Sequence, residues 1–153
     1  MDNSLTSQFK LISIIYGALI IGQIIFFAVA LFLVENLKIK PDQSLDEIFR
    51  LLIPLLGIVA MFFAHRFYNN KISAISENDE LSIKLIKFRS YKIIQWAEIE
   101  AASLISIIAF ILTGNYLYVI VFLFMIGFFI LNRPSKEIFV NDFKISIAEK
   151  DKF

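Results

Sequence analysis

The sequence predicts an all-α integral membrane protein: a four-transmembrane-helix bundle with a cytoplasmic helical extension of helix 3. Two observations about composition point to this class. The chain is 58% hydrophobic, compared with about 45–50% in soluble domains, and its mean hydropathy is +0.73. The third observation is that charged residues, 19% of the chain, gather between long apolar runs. Four of these runs approach the roughly 20 residues that a helix needs to cross a bilayer.

The first two spans are predicted over residues 11–34 and 48–68. The first contains no charged residue, and its apolar run exceeds the roughly 7–15 residues of a signal peptide. It also continues past "AVA" at residues 28–30, which resembles a cleavage site, so we expect a retained helix. The second span follows "SLDE", in which Ser44 is predicted to cap the helix and Glu47 to complete a capping box.

The third and fourth spans are predicted over residues 93–113 and 116–132. Because so short a connection separates them, they are expected to form an antiparallel hairpin of neighbouring helices. Gly114 in "LTGNY" supplies the left-handed residue that commonly ends a helix. After Arg133, Pro134 prevents the fourth helix from continuing.

The middle loop, residues 69–92, is expected to be more than a linker. Leu81, Leu85 and Phe88 recur at helical spacing with basic residues between them, which predicts an extension of helix 3 near the headgroups. The pattern also alternates over Leu81, Ile83 and Leu85, so a short strand is the alternative.

The distribution of lysine and arginine predicts the orientation of the four spans. The amino terminus, the middle loop with the adjoining end of the second span, and the tail at residues 133–153 share one side of the membrane, and they carry 12 of the 15 basic residues. The positive-inside rule therefore puts both termini in the cytoplasm. Abundant Ile, Phe, Lys and Asn favour a bacterial source, and hence the inner (plasma) membrane. We interpret residues 1–153 as one membrane domain, with a short tail helix near residues 135–141.

Two acidic residues at the mouth of the third span, Glu98 and Glu100, are the main candidates for a site. A charge at the centre of a span costs about 2.5–3.5 kcal/mol. Glu98, however, lies only six residues beyond Lys92, about 9 Å along a helix, and so near the headgroups. Residues two apart on a helix face opposite ways. Glu98 is expected to point between helices, along a stripe of small residues, and Glu100 toward another helix or subunit. The stripe comprises Ala102, Ser106, Ala109 and Thr113.

Cationic partners are predicted at the same depth as these glutamates: His65, Arg66 and Arg133. One interpretation is a structural ion-pair cluster that pins helix ends at the interface. The other is a proton-titrating or cation-binding site, because ionisable residues within spans mark such sites. The sequence contains no cysteine, and a lone histidine makes a poor zinc site, so no metal site or cofactor is predicted.

Gln23, near the middle of the first span, is a second polar candidate. Its amide must find a partner within the hydrocarbon region. Ala18 and Gly22, four residues apart, offer a close-contact face nearby. Interhelical packing and the lining of a pathway are both open for Gln23.

The segment "QWAEIEAASLISIIAFILTGN", followed by "RPSKEIFVNDFKIS", resembles a family of uncharacterised small four-span membrane proteins of Bacteroidota-type bacteria. The resemblance covers the second half of the chain through Trp96, Glu100 and residues 133–137. That family has a basic residue before the tryptophan, where this chain has Gln95. The resemblance implies the four-span fold and no particular activity.

Three functional classes follow from these patterns. The leading hypothesis is a non-enzymatic structural or accessory subunit, whose basic side meets the lipid bilayer, a membrane protein partner or other copies of itself, and not nucleic acid. The alternative is an oligomeric proton- or cation-linked transporter or channel that uses Glu98 or Glu100. An enzyme comes third, because no nucleophile, metal set or cofactor motif is present.

Overall fold

A computed structural model describes residues 2–36, 42–76 and 79–145, and this part of the chain is all-helical. The tail beyond residue 145 and the connection at residues 37–41 lie outside the described residues. Both segments carry lysines that the predicted orientation counts. The described helices are α1 (Asp2–Asn36), α2 (Gln43–Ser73), α3 (Leu81–Thr113), α4 (Leu117–Leu131) and α5 (Lys136–Asp142).

Helices α1, α2 and α3 are each long and apolar enough to cross a membrane. Helix α4 has 15 residues and is therefore about 22 Å long, shorter than the roughly 30 Å hydrocarbon core. It is long and apolar enough to cross a membrane only when it is counted together with α5, from which it is bent by 71°. The described chain thus contains three candidate spans, or four if the bent pair counts as one.

Helix α3 is the centre of the bundle and packs against α1, α2 and α4. Half of the most apolar 18-residue stretch of α3 is buried inside the protein, whereas only 11% of the corresponding stretch of α1 and 17% of that of α2 are buried. The outer helices therefore present most of their large apolar side chains outward, for example Phe32, Leu51 and Leu131, which are 61%, 76% and 79% exposed. An outer surface this apolar is typical of a protein surrounded by lipid.

Several predicted helix boundaries are confirmed. Gly114 adopts a left-handed conformation (φ 66°) and its N–H donates to the carbonyl of Phe110 (2.8 Å), which ends α3. Helix α4 ends just before Arg133–Pro134, and Ser135 caps α5 by accepting a hydrogen bond from the N–H of Ile138. The extension of helix 3 is also confirmed, because α3 runs without a break from Leu81, and the alternative strand is wrong.

The predicted cap of the second span is wrong. Helix α2 begins at Gln43, and Asp42 caps it: its Oδ1 accepts from the N–H groups of Ser44 and Leu45 (3.0 and 3.2 Å) and from the Ser44 hydroxyl (2.6 Å). These hydrogen bonds, the one from the Ser44 hydroxyl above all, hold the pKa of Asp42 below its usual range. Ser44 thus supports the capping residue instead of being it.

The end of the bundle formed by the start of α1, the end of α2, the start of α3 and α5 is called here the basic end. Four phenylalanines hold it together, with ring centroids 5.4 Å apart for Phe9–Phe139 and 5.2 Å apart for Phe88–Phe139 and Phe139–Phe143. These rings come from α1, α3 and the α5 region, so α5 folds across the ends of α1 and α3.

The opposite end, formed by the end of α1, the start of α2 and the α3–α4 turn, is called the turn end. Asp46 of α2 accepts hydrogen bonds there from Asn115 and from Tyr118, each 2.8 Å long. Tyr116 donates to Glu35 at the end of α1 (3.0 Å). The turn between α3 and α4 is therefore bonded to both of the other helices.

Gly57 allows α2 to approach α4 closely. A Cβ atom at this position would lie 3.4 Å from both the sulfur of Met125 and a methyl carbon of Val121. Gly22 of α1 differs, because a Cβ there would meet no atom within 4 Å. Ala18 and Gly22 are exposed, so the predicted close-contact face points away from the other described helices of the chain.

Replacing Gly57 with leucine tests this contact. We expect Gly57→Leu to lower stability by about 1–3 kcal/mol, because the added side chain overpacks the α2–α4 contact. Gly22→Leu is the matched control and should be neutral or up to about 1 kcal/mol more stable, since leucine favours helix more than glycine does. Thermal unfolding in one detergent measures both, and equal midpoints would contradict the close approach of α2 and α4.

Candidate functional site

Trp96 fixes the depth at which the predicted site lies. Its indole Nε1 donates to the backbone carbonyl of Asn132 at the end of α4 (3.0 Å), and its ring packs against Tyr16 and Phe129. Arg133 is therefore level with Trp96, as the hairpin of α3 and α4 requires. The ring of Trp96 is fully buried, so it joins three helices and is not an exposed interfacial anchor.

Glu98 is half-buried on the stripe that the sequence predicts. Ala102, Ser106, Ala109 and Thr113 are all buried in line with it along α3. The Oε2 atom of Glu98 is buried and has no hydrogen-bond partner among the described residues. A buried carboxylate oxygen without a partner costs free energy, which makes Glu98 the most unusual acidic group in the described bundle.

Glu100 is also half-buried and lies about 200° around α3 from Glu98. Neither glutamate forms a salt bridge with any residue in the described part of the chain. Between described residues, salt bridges join Arg50 to Asp46 and Lys87 to Asp79.

The predicted cationic partners lie on the surface of the basic end. His65, Arg66 and Arg133 are exposed. His65 Nε2 accepts a hydrogen bond from Asn69, one turn further along α2 (2.8 Å). The structure therefore brings neither arginine into a salt bridge with Glu98 or Glu100 within the described residues.

Gln23 makes an interhelical hydrogen bond. Its side chain is fully buried, and its Oε1 accepts from the hydroxyl of Ser103 on α3 (2.6 Å). Its amide Nε2 is also buried and has no partner among the residues that the structure describes. Gln23 thus joins α1 to α3 through one of its two polar atoms.

A buried polar cluster at the basic end was not predicted. It consists of Tyr68 on α2, Lys92 and Gln95 on α3, and Asp142 on α5. Lys92 is only 2% exposed, and its Nζ donates to Gln95 Oε1 (3.0 Å) while lying 3.9 Å from the centre of the Tyr68 ring. Gln95 donates onward to the carbonyl of Ala64 (3.4 Å), and the Tyr68 hydroxyl donates to Asp142 (2.8 Å). This polar cluster ties α2, α3 and α5 together.

One sequence signal could have found the polar cluster. Phe88, Lys92, Gln95 and Ile99 follow one another at spacings of four, three and four residues, which places all four on one helix face. Phe88 and Ile99 are obvious core residues, so the polar residues between them lie on the buried face. Its charge alone places Lys92 with the basic residues of the middle loop, whereas its position in this spacing predicts burial.

The chemistry of the cluster favours a structural role. An ammonium group can donate three hydrogen bonds, and the face of an aromatic ring attracts a cation. Lys92 thus replaces its water shell with an amide oxygen and the Tyr68 ring, and the Asp142 carboxylate lies nearby. Within residues 2–36, 42–76 and 79–145, no group of three or more His, Asp or Glu residues is placed to hold a metal ion.

Comparisons of the chain with known protein families, characterised proteins and solved structures find no match.

The dependence of Lys92 on Gln95 can be tested in a double-mutant cycle. We expect Gln95→Leu to lower the unfolding free energy by about 1–3 kcal/mol, because the buried ammonium loses its acceptor. Adding Lys92→Met should restore much of that loss, since both polar partners are then apolar. Denaturation in mixed micelles measures each variant.

Lys87→Met is the control for this cycle. Lys87 is a partly exposed lysine on the same helix, bonded to Asp79, and its replacement should cost only about 0–1 kcal/mol. A double variant no more stable than Gln95→Leu alone would show that Lys92 does not depend on Gln95.

Proposed function

We propose that this chain is a small multi-pass protein of a bacterial inner membrane, with four spans, both termini in the cytoplasm, and a non-enzymatic structural or accessory role. The observation that carries the proposal is how the buried polar side chains are used. The bonds Gln23–Ser103, Trp96–Asn132 and Gln95–Ala64 each join two different helices. Buried polar groups that form hydrogen bonds between helices are typical of a structural bundle.

The surface supports insertion in a bilayer. Large apolar side chains are exposed along α1, α2 and α4, and hydrogen bonding within helices satisfies most backbone groups, as the hydrocarbon region requires. The grooves between α2 and α4 are lined by apolar residues. In the proposal α4 crosses the hydrocarbon core as the fourth span and α5 lies at the basic end. Trp96 and Asn132 then lie near the interface on that side.

The basic end supports contact with anionic lipid or a protein partner. Exposed cations such as Arg66, Lys71 and Lys136 lie there, and each basic residue near an anionic membrane surface adds about 1 kcal/mol of attraction. Glu100, half-buried on α3, is a candidate contact for a neighbouring helix or a second copy of the chain.

Cysteine labelling tests the four-span topology directly, because the chain contains no cysteine of its own. Single variants Ser7→Cys, Ser73→Cys and Asn141→Cys place exposed thiols at the basic end, and Asn36→Cys places one at the turn end. In intact cells we expect a membrane-impermeant maleimide to label Asn36→Cys alone, and in inverted vesicles the other three.

Two results of the labelling would contradict the proposal in different ways. If the maleimide labels both Asn141→Cys and Asn36→Cys in intact cells, then α4 does not cross the membrane. Recovery of the chain in the soluble fraction after alkaline extraction would remove the membrane assignment altogether.

One observation favours a second function, a proton- or cation-linked transporter or channel. The buried Oε2 of Glu98 has no partner in the described residues, and unpaired ionisable groups in spans are typical of ion pathways. The accessory role predicts that the wild-type protein and Glu98→Gln give the same flux as empty vesicles under a pH gradient.

A pH-sensitive dye trapped in vesicles measures this flux. Glu137→Gln, an exposed acid on α5, is the matched control. Flux in the wild type and in Glu137→Gln that falls at least about tenfold in Glu98→Gln, a barrier change of about 1.4 kcal/mol, would replace the accessory role with the transport role.

A further inference from the structure

An apolar groove runs along the outer side of the contact between α2 and α4. The part near the turn end has a volume of about 330 Å³, within the size range of small-molecule sites. Pro54, Gly57 and Met61 line it from α2, and Ile120 and Phe124 line it from α4. A second apolar hollow continues it from Met61 and Phe124 toward Leu131.

Opposite charges lie at the mouth of this groove. Arg50, Pro54, Gly57 and Met61 follow one another at spacings of four, three and four residues, so Arg50 stands on the groove side of α2. The side chain of Arg50 is 65% exposed, and Asp46 binds only one of its terminal nitrogens. Glu47, also exposed, lies three residues before Arg50 and is its neighbour on the helix surface.

We propose that this groove binds a zwitterionic phospholipid whose headgroup carries a free ammonium, such as phosphatidylethanolamine, from the leaflet at the turn end. One acyl chain fills the groove, the phosphate binds the Arg50 guanidinium, and the ammonium binds the Glu47 carboxylate. Arginine suits the phosphate because its planar guanidinium offers two parallel donors. The proposal rests on the proposed insertion of the chain in a bilayer.

The length of the groove matches one leaflet. Met61 lies eleven residues beyond Arg50, which is about 16 Å along a helix. Half of a roughly 30 Å hydrocarbon core is about 15 Å. An acyl chain whose phosphate is held at Arg50 therefore ends near Met61 and Phe124, where the two parts of the groove meet.

The paired charges favour a lipid over a helix from a second copy. A transmembrane helix presents apolar side chains to such a groove and offers no partner to Glu47 or to the second terminal nitrogen of Arg50. A phospholipid with an ammonium group supplies the apolar chain, the anion and the cation in one molecule. Phosphatidylcholine supplies the same charges, but its methylated ammonium cannot donate a hydrogen bond to Glu47.

Native mass spectrometry of the full-length protein tests the proposal. The protein is purified in detergent and exposed to equal amounts of phosphatidylethanolamine, phosphatidylcholine and phosphatidylglycerol with identical acyl chains. We expect phosphatidylethanolamine to be retained at least about fivefold better than either of the others. Equal retention of the three lipids would overturn the assigned headgroup contacts.

Two pairs of variants separate the acyl-chain and headgroup contacts. Ile120→Trp fills the groove and should lower retention of all lipids at least about fivefold. Ile108→Trp, on the outer surface of α3, should leave it unchanged; the two isoleucines are 52% and 45% exposed. Glu47→Gln should abolish the preference for phosphatidylethanolamine over phosphatidylglycerol, whereas Glu137→Gln on α5 should preserve it.

Two outcomes with the variants would overturn the lipid site. One is unchanged retention in Ile120→Trp when its thermal unfolding matches that of the wild type. The other is a retained protein dimer that Ile120→Trp disrupts, because a second copy would then occupy the groove. In either case a protein that remains in the membrane fraction keeps the proposed insertion intact, so the two proposals fail separately.

Discussion

The bundle depends on one constraint: polar groups within a bilayer must be bonded inside the protein, because no water is available there. Helix α3 and the turn that follows it meet this constraint at three depths. Gln95 bonds to α2 near the basic end, Ser103 bonds to Gln23 of α1 further in, and Asn115, just beyond the end of α3, bonds to Asp46 of α2. A single helix that binds its neighbours at successive levels fixes their rotation as well as their distance, which apolar contacts alone specify poorly.

The local features of this fold could be predicted from the sequence, and the features that depend on distant residues could not. Gly114 and Pro134 act on their own backbone, so the ends of α3 and α4 follow from residue type. The cap of α2 was different, since Asp42 and Ser44 are both good capping residues. A tertiary contact favours Asp42, whose N–H donates to the carbonyl of Leu112 at the end of α3 (3.3 Å).

The candidate site shows the same division. Lysine is seldom buried, so residue type alone predicts that Lys92 lies on the surface. Its buried environment depends on distant residues, Tyr68 of α2 and Asp142 of α5, which pack near it in the folded chain. The helix face on which Glu98 lies could be predicted, because it follows from spacing along α3. Its pairing was not predictable, because the direction of Arg133 is set by the break between α4 and α5 and not by helix periodicity.

The packing around Glu98 limits how the chain could move ions if transport is its role. Along the same face of α3, the hydroxyls of Ser106 and Thr113 donate to the carbonyls of Ala102 and Ala109 in their own helix (2.9 and 2.7 Å). Their protons are therefore occupied, and alanines separate them, so this face carries no continuous chain of polar groups from Glu98 to the turn end. A conducting form would need a helix packed on this face to move away and admit water. A movement of α2 away from α3 would break the contact of Asp42 with Leu112 and the bond from Gln95 to Ala64, two bonds at different levels of α2.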